Sequence, residues 1–230
     1  MNYAFDFAPL LPYWADFVEG VWLTIKLSAI STLFGFTLGT LCAIGRADGP
    51  PAVKLLVSVY VETIRNTPLL VQVFLVYFGF ASMGLKVPAN VAAVVAMVLN
   101  VGAYTSEIVR AGLQSIHKSQ IEAAECLGLS RPLIYWHVII RPAIERVYPA
   151  LTSQYVLLML ASSITSQISA EELTAVANRI QSDTFRSFET YIVVGVLYIA
   201  LSFLVRTVFW LIGLAAFPRL RKLGTALQAK

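Results

Sequence analysis

The sequence predicts an all-α membrane protein with five transmembrane helices, and two properties of the chain carry this prediction. Hydrophobic residues make up 58% of the 230 residues, charged residues make up 13%, and the mean hydropathy is +0.74. Such values are typical of membrane proteins. Five segments also reach the roughly 20 mainly apolar residues that a helix needs to cross a bilayer. These segments are residues 21–44, 53–80, 88–110, 149–169 and 191–217. We expect residues 1–230 to form a single membrane domain.

The first segment ends where a glycine and two prolines, Gly49-Pro50-Pro51, stop helical hydrogen bonding. Within this segment Gly35 and Gly39 are separated by one helical turn. This spacing allows two membrane helices to approach closely. Because glycine is common in membrane helices, the pair indicates either a close-packing face or no specific contact.

The second segment is too long for an untilted span and contains the polar run from Glu62 to Pro68. Pro68 lacks a backbone donor and disfavours helical geometry at Thr67, so we expect a kink or break there. Irregular backbone at membrane depth is tolerated only against protein or water, which places this run toward the protein interior. Glu62 and Arg65 are three residues apart and can pair on one helical face. The polar run is either a gate or a fixed kink.

The third segment ends in a stripe of polar residues at helical spacing, which are Asn100, Tyr104, Glu107 and Arg110. Asn100 either forms a hydrogen bond between helices or contacts a substrate. Glu107 and Arg110 lie next to a long polar segment, residues 111–148, and we predict that they anchor it.

The fourth segment has a second half that is rich in hydroxyl and amide groups, Ser162 to Gln167. These groups either bond to carbonyls of their own helix or line a surface that water reaches. A charged connector, residues 171–189, leads to the fifth segment.

The polar segment at residues 111–148 is predicted to lie in water. Ser119 and Glu122 match the capping box, which predicts a short helix from Gln120 to Leu127. Gly128 suits a left-handed residue directly after that helix. Ser130 can then cap a second short helix whose first turn contains Pro132.

The positions of lysine and arginine predict the orientation, because positively charged loops stay in the cytoplasm. With the N-terminus outside, the inner segments hold most of these residues: Arg46, Lys54, Arg110, Lys118, Arg131, Arg141, Arg146, Arg219, Arg221, Lys222 and Lys230. The outer segments then hold Lys86, Arg179 and Arg186. We therefore predict the N-terminus outside, the C-terminus inside and residues 111–148 in the cytoplasm.

Several kinds of chemistry have no signal in the sequence. There is no phosphate-binding Gly-x-x-x-x-Gly-Lys-Ser/Thr loop, so ATP hydrolysis requires a partner. His117 and His137 have no neighbouring ligands at metal-site spacing, and no hydrolase motif occurs, so we predict neither a metal site nor catalytic residues. The net charge of +4 is scattered beside apolar segments, which favours membrane topology over nucleic-acid binding.

Three motifs resemble those of a known family. Glu122-Ala123-Ala124, followed by Gly128, resembles the EAA loop of permease subunits in binding-protein-dependent ABC importers. The run Arg65-Asn66-Thr67-Pro68-Leu69-Leu70-Val71-Gln72 resembles the R-G-T-P-L-L-V-Q motif of the polar amino acid branch, and residues 103–110 resemble its A-Y-x-x-E-x-x-R motif. One departure is that Leu160-Ala161-Ser162-Ser163-Ile164 replaces the usual Lys-Asp-Thr-Ser-Leu.

The resemblance implies a MetI-like ABC permease fold, with a cytoplasmic coupling helix between spans 3 and 4. It implies a permease subunit in the cytoplasmic (inner) membrane of a bacterium, importing polar amino acids such as histidine, glutamine, glutamate or arginine. The implied partners are an ATPase dimer that binds ATP-Mg, a second permease chain, identical or paralogous, and an extracytoplasmic binding protein. The coupling residues on the ATPase side would be Glu122, Ala123, Ala124 and Gly128.

We predict that the substrate path runs beside the interrupted second span and the polar half of the fourth, with Gln72, Ser162, Ser163 and Gln167 as leading contacts. A zwitterion that crosses hydrocarbon needs hydrogen-bonding groups along its path. The alternative is that these side chains bond only within or between helices. Two other function classes stay open: a substrate-gated channel and a membrane scaffold that transports nothing.

Overall fold

The computed structural model describes residues 4–217, and all regular elements in this range are helices. The all-α prediction is confirmed. The α-helices are α1 (Trp14–Asp48), α2 (Pro51–Arg65), α3 (Leu69–Ser82), α4 (Ala89–Gln114), α5 (Lys118–Cys126), α6 (Arg131–Leu133), α7 (Arg141–Ala161), α8 (Leu173–Thr184) and α9 (Ser187–Ala216). Two 3-10 helices, Ala8–Tyr13 and Ser162–Ile168, and one π-helix, Ile134–Ile140, complete the set.

The described residues contain four continuous helical stretches that are long and apolar enough to cross a membrane. These are Ala8–Asp48, Ala89–Gln114, Arg131–Ile168 and Ser187–Ala216. The pair α2 and α3 makes a fifth only when counted as one span, because the chain bends by 111° between the two helices. The predicted second span is therefore broken into two helices. The basic residues near the C-terminus that enter the orientation prediction, Arg219, Arg221, Lys222 and Lys230, lie outside the described residues.

Helix α1 has its most extensive packing against α4, and two glycines bring the helices together. A Cβ atom added at Gly35 would lie 2.1 Å from Val101 Cγ1, and one at Gly39 would lie 2.6 Å from the Gly102 carbonyl oxygen. Only glycine leaves room for this approach. Of the two alternatives that the sequence left open for Gly35 and Gly39, the structure shows the close-packing face.

The predicted connector at residues 171–189 contains a packed helix, α8, which contacts α1 and α9. Apolar residues of α8, among them Leu173 and Ile180, join Phe17 of α1 and Met159 of α7 in one buried cluster. Glu172 caps α8, because its carboxylate accepts hydrogen bonds from the backbone N–H groups of Thr174 and Ala175. The same carboxylate accepts a bond from the Tyr198 hydroxyl at 2.7 Å, which ties α8 to α9.

We expect Glu172 to make the stability of the protein depend on pH. Burial of its carboxyl group raises its pKa above the usual value of 4.5, although its hydrogen bonds oppose the shift. Between the usual and the raised pKa the folded state binds more protons than the unfolded state, so stability falls as pH rises through this window. In Glu172→Gln this contribution is absent. Thermal unfolding at several pH values should therefore show the wild type losing stability relative to Glu172→Gln above pH 4.5, and a constant difference would contradict this assignment.

Candidate functional site

The break between α2 and α3 is held by the side chain of Gln72. Its amide nitrogen donates to the Ile64 carbonyl at 2.7 Å and to the Thr67 carbonyl and hydroxyl at 2.9 Å each. Its amide oxygen accepts from Asn100 Nδ2 of α4 at 2.9 Å. Pro68 cannot donate a backbone hydrogen bond, so the carbonyls exposed at the break need such a partner. Gln72 and Asn100 are both buried, and together they fix the bend against α4.

A polar cavity of about 530 Å³ opens beside this break. Its walls come from the break itself, from α4 and from the middle of α7. The lining residues are Arg65, Asn66, Thr67, Pro68, Leu69, Asn100, Tyr104, Gln154, Leu157, Leu158 and Ala161. Its volume lies within the range of small-molecule sites.

A cluster of charged side chains lies next to this cavity and is centred on Glu107. The Glu107 carboxylate accepts two hydrogen bonds from Arg110, at 2.6 and 3.2 Å, and another from Arg46 at the end of α1. Arg65 Nη1 lies 3.8 Å from Glu107 Oε2. The Glu107 carboxylate thus joins the ends of α1, α2 and α4 that are predicted to lie on the cytoplasmic side.

The predicted pairing of Glu62 with Arg65 is wrong. Glu62 lies 4.0 Å from Arg46, whereas Arg65 points toward Glu107 and stacks over the ring of Tyr104 at 5.6 Å. The packing of α2 on α4 supplies Arg65 with a carboxylate and an aromatic ring from another helix, and these compete with the partner on its own helix. Thr67 and Pro68 lie at the break, as predicted.

The hydroxyl groups of the fourth span bond to carbonyls of their own helix. Ser162 Oγ donates to Met159, Ser163 Oγ to Leu160 and Thr165 Oγ1 to Ser162, at 2.7 to 2.8 Å. Ser162 is buried, Ser163 is half-buried and Gln167 is exposed. These residues form the 3-10 helix beyond the end of α7, and the cavity is instead lined by Gln154 to Ala161 of α7 itself.

The coupling segment at residues 111–148 contains helix α5, whose start differs from the prediction. The N-cap residue is His117, whose ring nitrogen accepts from the Ser119 backbone N–H at 3.3 Å and contacts Ser119 Oγ at 2.7 Å. The predicted capping box of Ser119 and Glu122 is therefore wrong, because Ser119 already lies within the first turn. Glu122 and Ala123 are exposed, while Ala124 is 4% exposed and faces the protein.

The second helix of the coupling segment is also longer than predicted. Ser130 is its N-cap residue and Pro132 lies in the first turn, as predicted, but Ser130 makes no side-chain capping bond. The helix then continues through the π-helix Ile134–Ile140 into α7. Arg141 donates its N–H to the Trp136 carbonyl five residues earlier, which carries the chain past Pro142, a residue without a donor.

One long-range hydrogen bond attaches the coupling segment to α1, and another joins the two ends of the segment. The Tyr135 hydroxyl donates to Asp48 Oδ2 at 2.5 Å, and Arg146 Nη1 donates to the Ser115 carbonyl at 2.5 Å. Asp48 is the last residue of α1, two residues after Arg46 of the Glu107 cluster. The segment and the charged cluster are therefore held by the same final turn of α1. Sequence reasoning missed Asp48 and Tyr135, which are 87 positions apart.

We expect Gly128→Val to leave the protein inserted and to weaken its hold on an ATPase partner. Gly128 has φ of +74°, and no atom lies within 4 Å of an added Cβ, so the cost is backbone strain of roughly 1–2 kcal/mol rather than a clash. Gly84→Val is a matched control, since Gly84 has φ of +76° and equally open surroundings at the opposite end of α4. Pull-down of the ATPase should fall several-fold for Gly128→Val only, and equal recovery from both variants would refute the role of Gly128.

Comparison with known proteins identifies the family of this chain. Residues 35–213 match the family described as "binding-protein-dependent transport system inner membrane component". A putative glutamine transport system permease protein of Rickettsia bellii is 33% identical over 205 residues, covering 89% of this chain and 93% of the relative. A nopaline transport system permease protein of Agrobacterium fabrum is 36% identical over 192 residues, covering 79% of this chain and 80% of the relative.

Solved structures give the same result. A crystal structure of an amino acid ABC transporter with histidines has a chain that is 35% identical, with a TM-score of 0.83, covering 92% of this chain and 99% of that one. A chain of an inward-facing MetNI methionine ABC transporter is 21% identical, with a TM-score of 0.75, and shows the shared fold. The chain described here therefore belongs to the family of binding-protein-dependent transport system inner membrane components.

Proposed function

We propose that the chain is the permease subunit of an ATP-driven ABC importer that moves polar amino acids from an extracytoplasmic binding protein into the cytoplasm. The polar cavity at the break between α2 and α3 carries this proposal. Its lining brings amide, hydroxyl and guanidinium groups together around a space large enough for a small molecule, which favours a transport path over a purely supporting bundle. The names of its glutamine and nopaline permease relatives support an amino acid or a derivative as the cargo.

The energy comes from a partner ATPase dimer that binds ATP-Mg, because the sequence has no phosphate-binding loop of its own. The coupling segment offers the docking surface for this partner. Glu122 and Ala123 are exposed on α5, and the apolar side chains of Leu127 and Trp136 are 80% and 63% exposed. Exposed apolar side chains on a segment that is predicted to lie in water indicate a protein contact.

A second permease chain, identical or paralogous, completes the pathway. Leu55, Leu56 and Val59 of α2, and Leu75 and Phe78 of α3, are exposed and apolar, so this face suits either a second chain or lipid. A pathway between two chains is the arrangement that the family resemblance implies.

The substrate path runs beside the break and along α7 toward the polar 3-10 helix. Gln72 supports the wall from behind by fixing the break, and Ser162 holds the end of α7. Ser163 and Gln167, which are less buried, are the members of the predicted set that a passing substrate can reach. These two neutral groups suit a path that must release its cargo, since neutral hydrogen bonds contribute only about 0.5–1.5 kcal/mol each.

Co-purification and transport together test the function. The tagged chain should co-purify with an ATPase and a permease, and vesicles holding this complex should accumulate a polar amino acid only with the binding protein outside and ATP-Mg inside. A substrate-gated channel would instead pass the amino acid without ATP. A scaffold would move nothing under either condition, although it would still co-purify with its partners.

Cysteine labelling tests the predicted orientation in the cytoplasmic membrane. In a Cys42→Ser background, a Ser182→Cys probe on α8 should react with an impermeant maleimide in intact cells. The native Cys126 of α5, which is exposed, should react only after the cells are opened. Labelling of Cys126 alone in intact cells would show that the orientation is the reverse of the predicted one.

A further inference from the structure

Arg65 is the one formally charged residue among the described residues that line the cavity. Its side chain is 38% exposed and rests on the ring of Tyr104, another lining residue. A guanidinium group has five N–H donors, and none of those on Arg65 makes a hydrogen bond to a described residue. The cavity therefore presents a positive group whose donors are available.

The neighbouring Glu107 carboxylate makes no hydrogen bond to Arg65. Glu107 is already bonded to Arg110 through two hydrogen bonds and to Arg46 through another, and its distance of 3.8 Å to Arg65 exceeds that of a hydrogen bond. The cluster contains three arginines, Glu107 and the more distant Glu62, so its formal charge is positive. A further carboxylate beside Arg65 would be favourable.

The remaining lining groups among the described residues include no carboxylate, so a cation would meet only neutral oxygens and an aromatic ring there. Asn66, Thr67, Asn100 and Gln154 are neutral, and the other lining residues are apolar or Tyr104. Ala161 also lines the cavity, at the position where the resembled motif has aspartate. A cationic side chain in this cavity would meet the charge of Arg65 without any carboxylate in the lining to compensate it.

We propose that Arg65 binds the carboxylate of the transported amino acid and that the cavity prefers acidic and neutral amino acids to basic ones. This inference rests on the proposed function, since it assigns the substrate class of the same cavity. The planar guanidinium can bind a carboxylate through two parallel hydrogen bonds, and such charge-assisted bonds are about twice as strong as neutral ones. Like charges at close range then disfavour a ligand with a net positive charge.

The test measures direct binding of amino acids to the purified complex. The binding protein is left out, so that the measured preference among amino acids is that of the cavity. Radiolabelled glutamate, glutamine and arginine serve as probes in equilibrium dialysis. We expect glutamate and glutamine to bind at least about 10-fold more tightly than arginine, because all three share the α-carboxylate and only arginine brings a second guanidinium that Arg65 repels at partly screened range. Arginine binding that equals or exceeds glutamate binding would overturn the inference.

Three variants and a control assign the effect to the cavity. Arg65→Gln should weaken glutamate binding about 10- to 100-fold, whereas Arg65→Lys should weaken it less and keep the order of preference. Ala161→Asp should move the preference toward arginine. Arg179→Gln removes an arginine from α8, away from the cavity, and should leave binding unchanged. Unchanged glutamate binding by Arg65→Gln would overturn the inference.

ATP-driven uptake by vesicles of the same complex, with its binding protein, separates this inference from the function that it rests on. If the vesicles take up an amino acid but the cavity prefers arginine, only the inference about Arg65 is refuted. Absence of ATP-driven uptake of any amino acid removes the proposed function and the inference with it.

Discussion

Replacement of Glu107 by glutamine is expected to destabilise the protein and to abolish most transport. Arg46, Arg65 and Arg110 would then face one another without the carboxylate between them. The Glu107 side chain is 17% exposed, so solvent screens the cluster only in part. Hydrogen bonds to charged groups contribute about 1.5–3 kcal/mol, and Glu107 accepts such bonds from two arginines. We expect a loss of at least about 2 kcal/mol in stability.

Thermal unfolding of the purified complex in detergent measures this loss. The control is Asp16→Asn, which makes the same acid-to-amide change in the exposed pair of Asp16 with Arg179. Exposed ion pairs contribute only about 0–1 kcal/mol, so the control should unfold near the wild-type temperature. If Glu107→Gln unfolds no earlier than Asp16→Asn, the cluster does not hold the helix ends together.

Replacement of Gly39 by alanine is the second change for which we expect a large effect. The added methyl group would lie 2.6 Å from both the Gly102 carbonyl oxygen and Thr105 Cβ. Both atoms are fixed to the backbone of α4, so neither can move away as the end of a flexible side chain could. The two helices must separate, and overpacking of this kind typically costs about 1–3 kcal/mol.

The matched control is Gly195→Ala in α9, where an added Cβ meets nothing within 4 Å. Alanine is favoured over glycine in a helix by up to about 1 kcal/mol, so this variant should be neutral or slightly more stable. The folded yield and the unfolding temperature of Gly39→Ala should both fall below those of Gly195→Ala. Equal values for the two variants would show that α1 and α4 tolerate separation.

Three local features could be predicted from the sequence because each depends on the backbone of one or two residues. Pro68 lacks a donor, so the helix breaks beside it. Gly128 is the residue that tolerates a positive φ, and it has one. Gly35 and Gly39 lack side chains, so a neighbouring helix can approach there, although the sequence could not identify α4 as that helix.

The start of α5 could not be predicted, because two local solutions compete within three residues. Ser119 with Glu122 satisfies the pattern of a capping box, yet the ring of His117 can accept the same kind of bond. The structure places His117 in extended geometry and begins the helix at Lys118. The prediction of a short second helix is wrong for a local reason too. A π-turn lets the helix continue past Pro142 into α7.

The sequence by itself determined the class of the protein, the approximate number of apolar spans and the position of the break, because these follow from hydropathy over some 20 residues and from the chemistry of proline. Only the tertiary structure decided the 111° bend, the cavity and the partners of the charged groups. Arg65 turns to Glu107 instead of Glu62, and Asp48 receives the Tyr135 hydroxyl, because helices distant in sequence pack side by side. A charged or polar side chain bonds to whichever partner packing brings within reach, and sequence spacing fixes that choice only within a single helix.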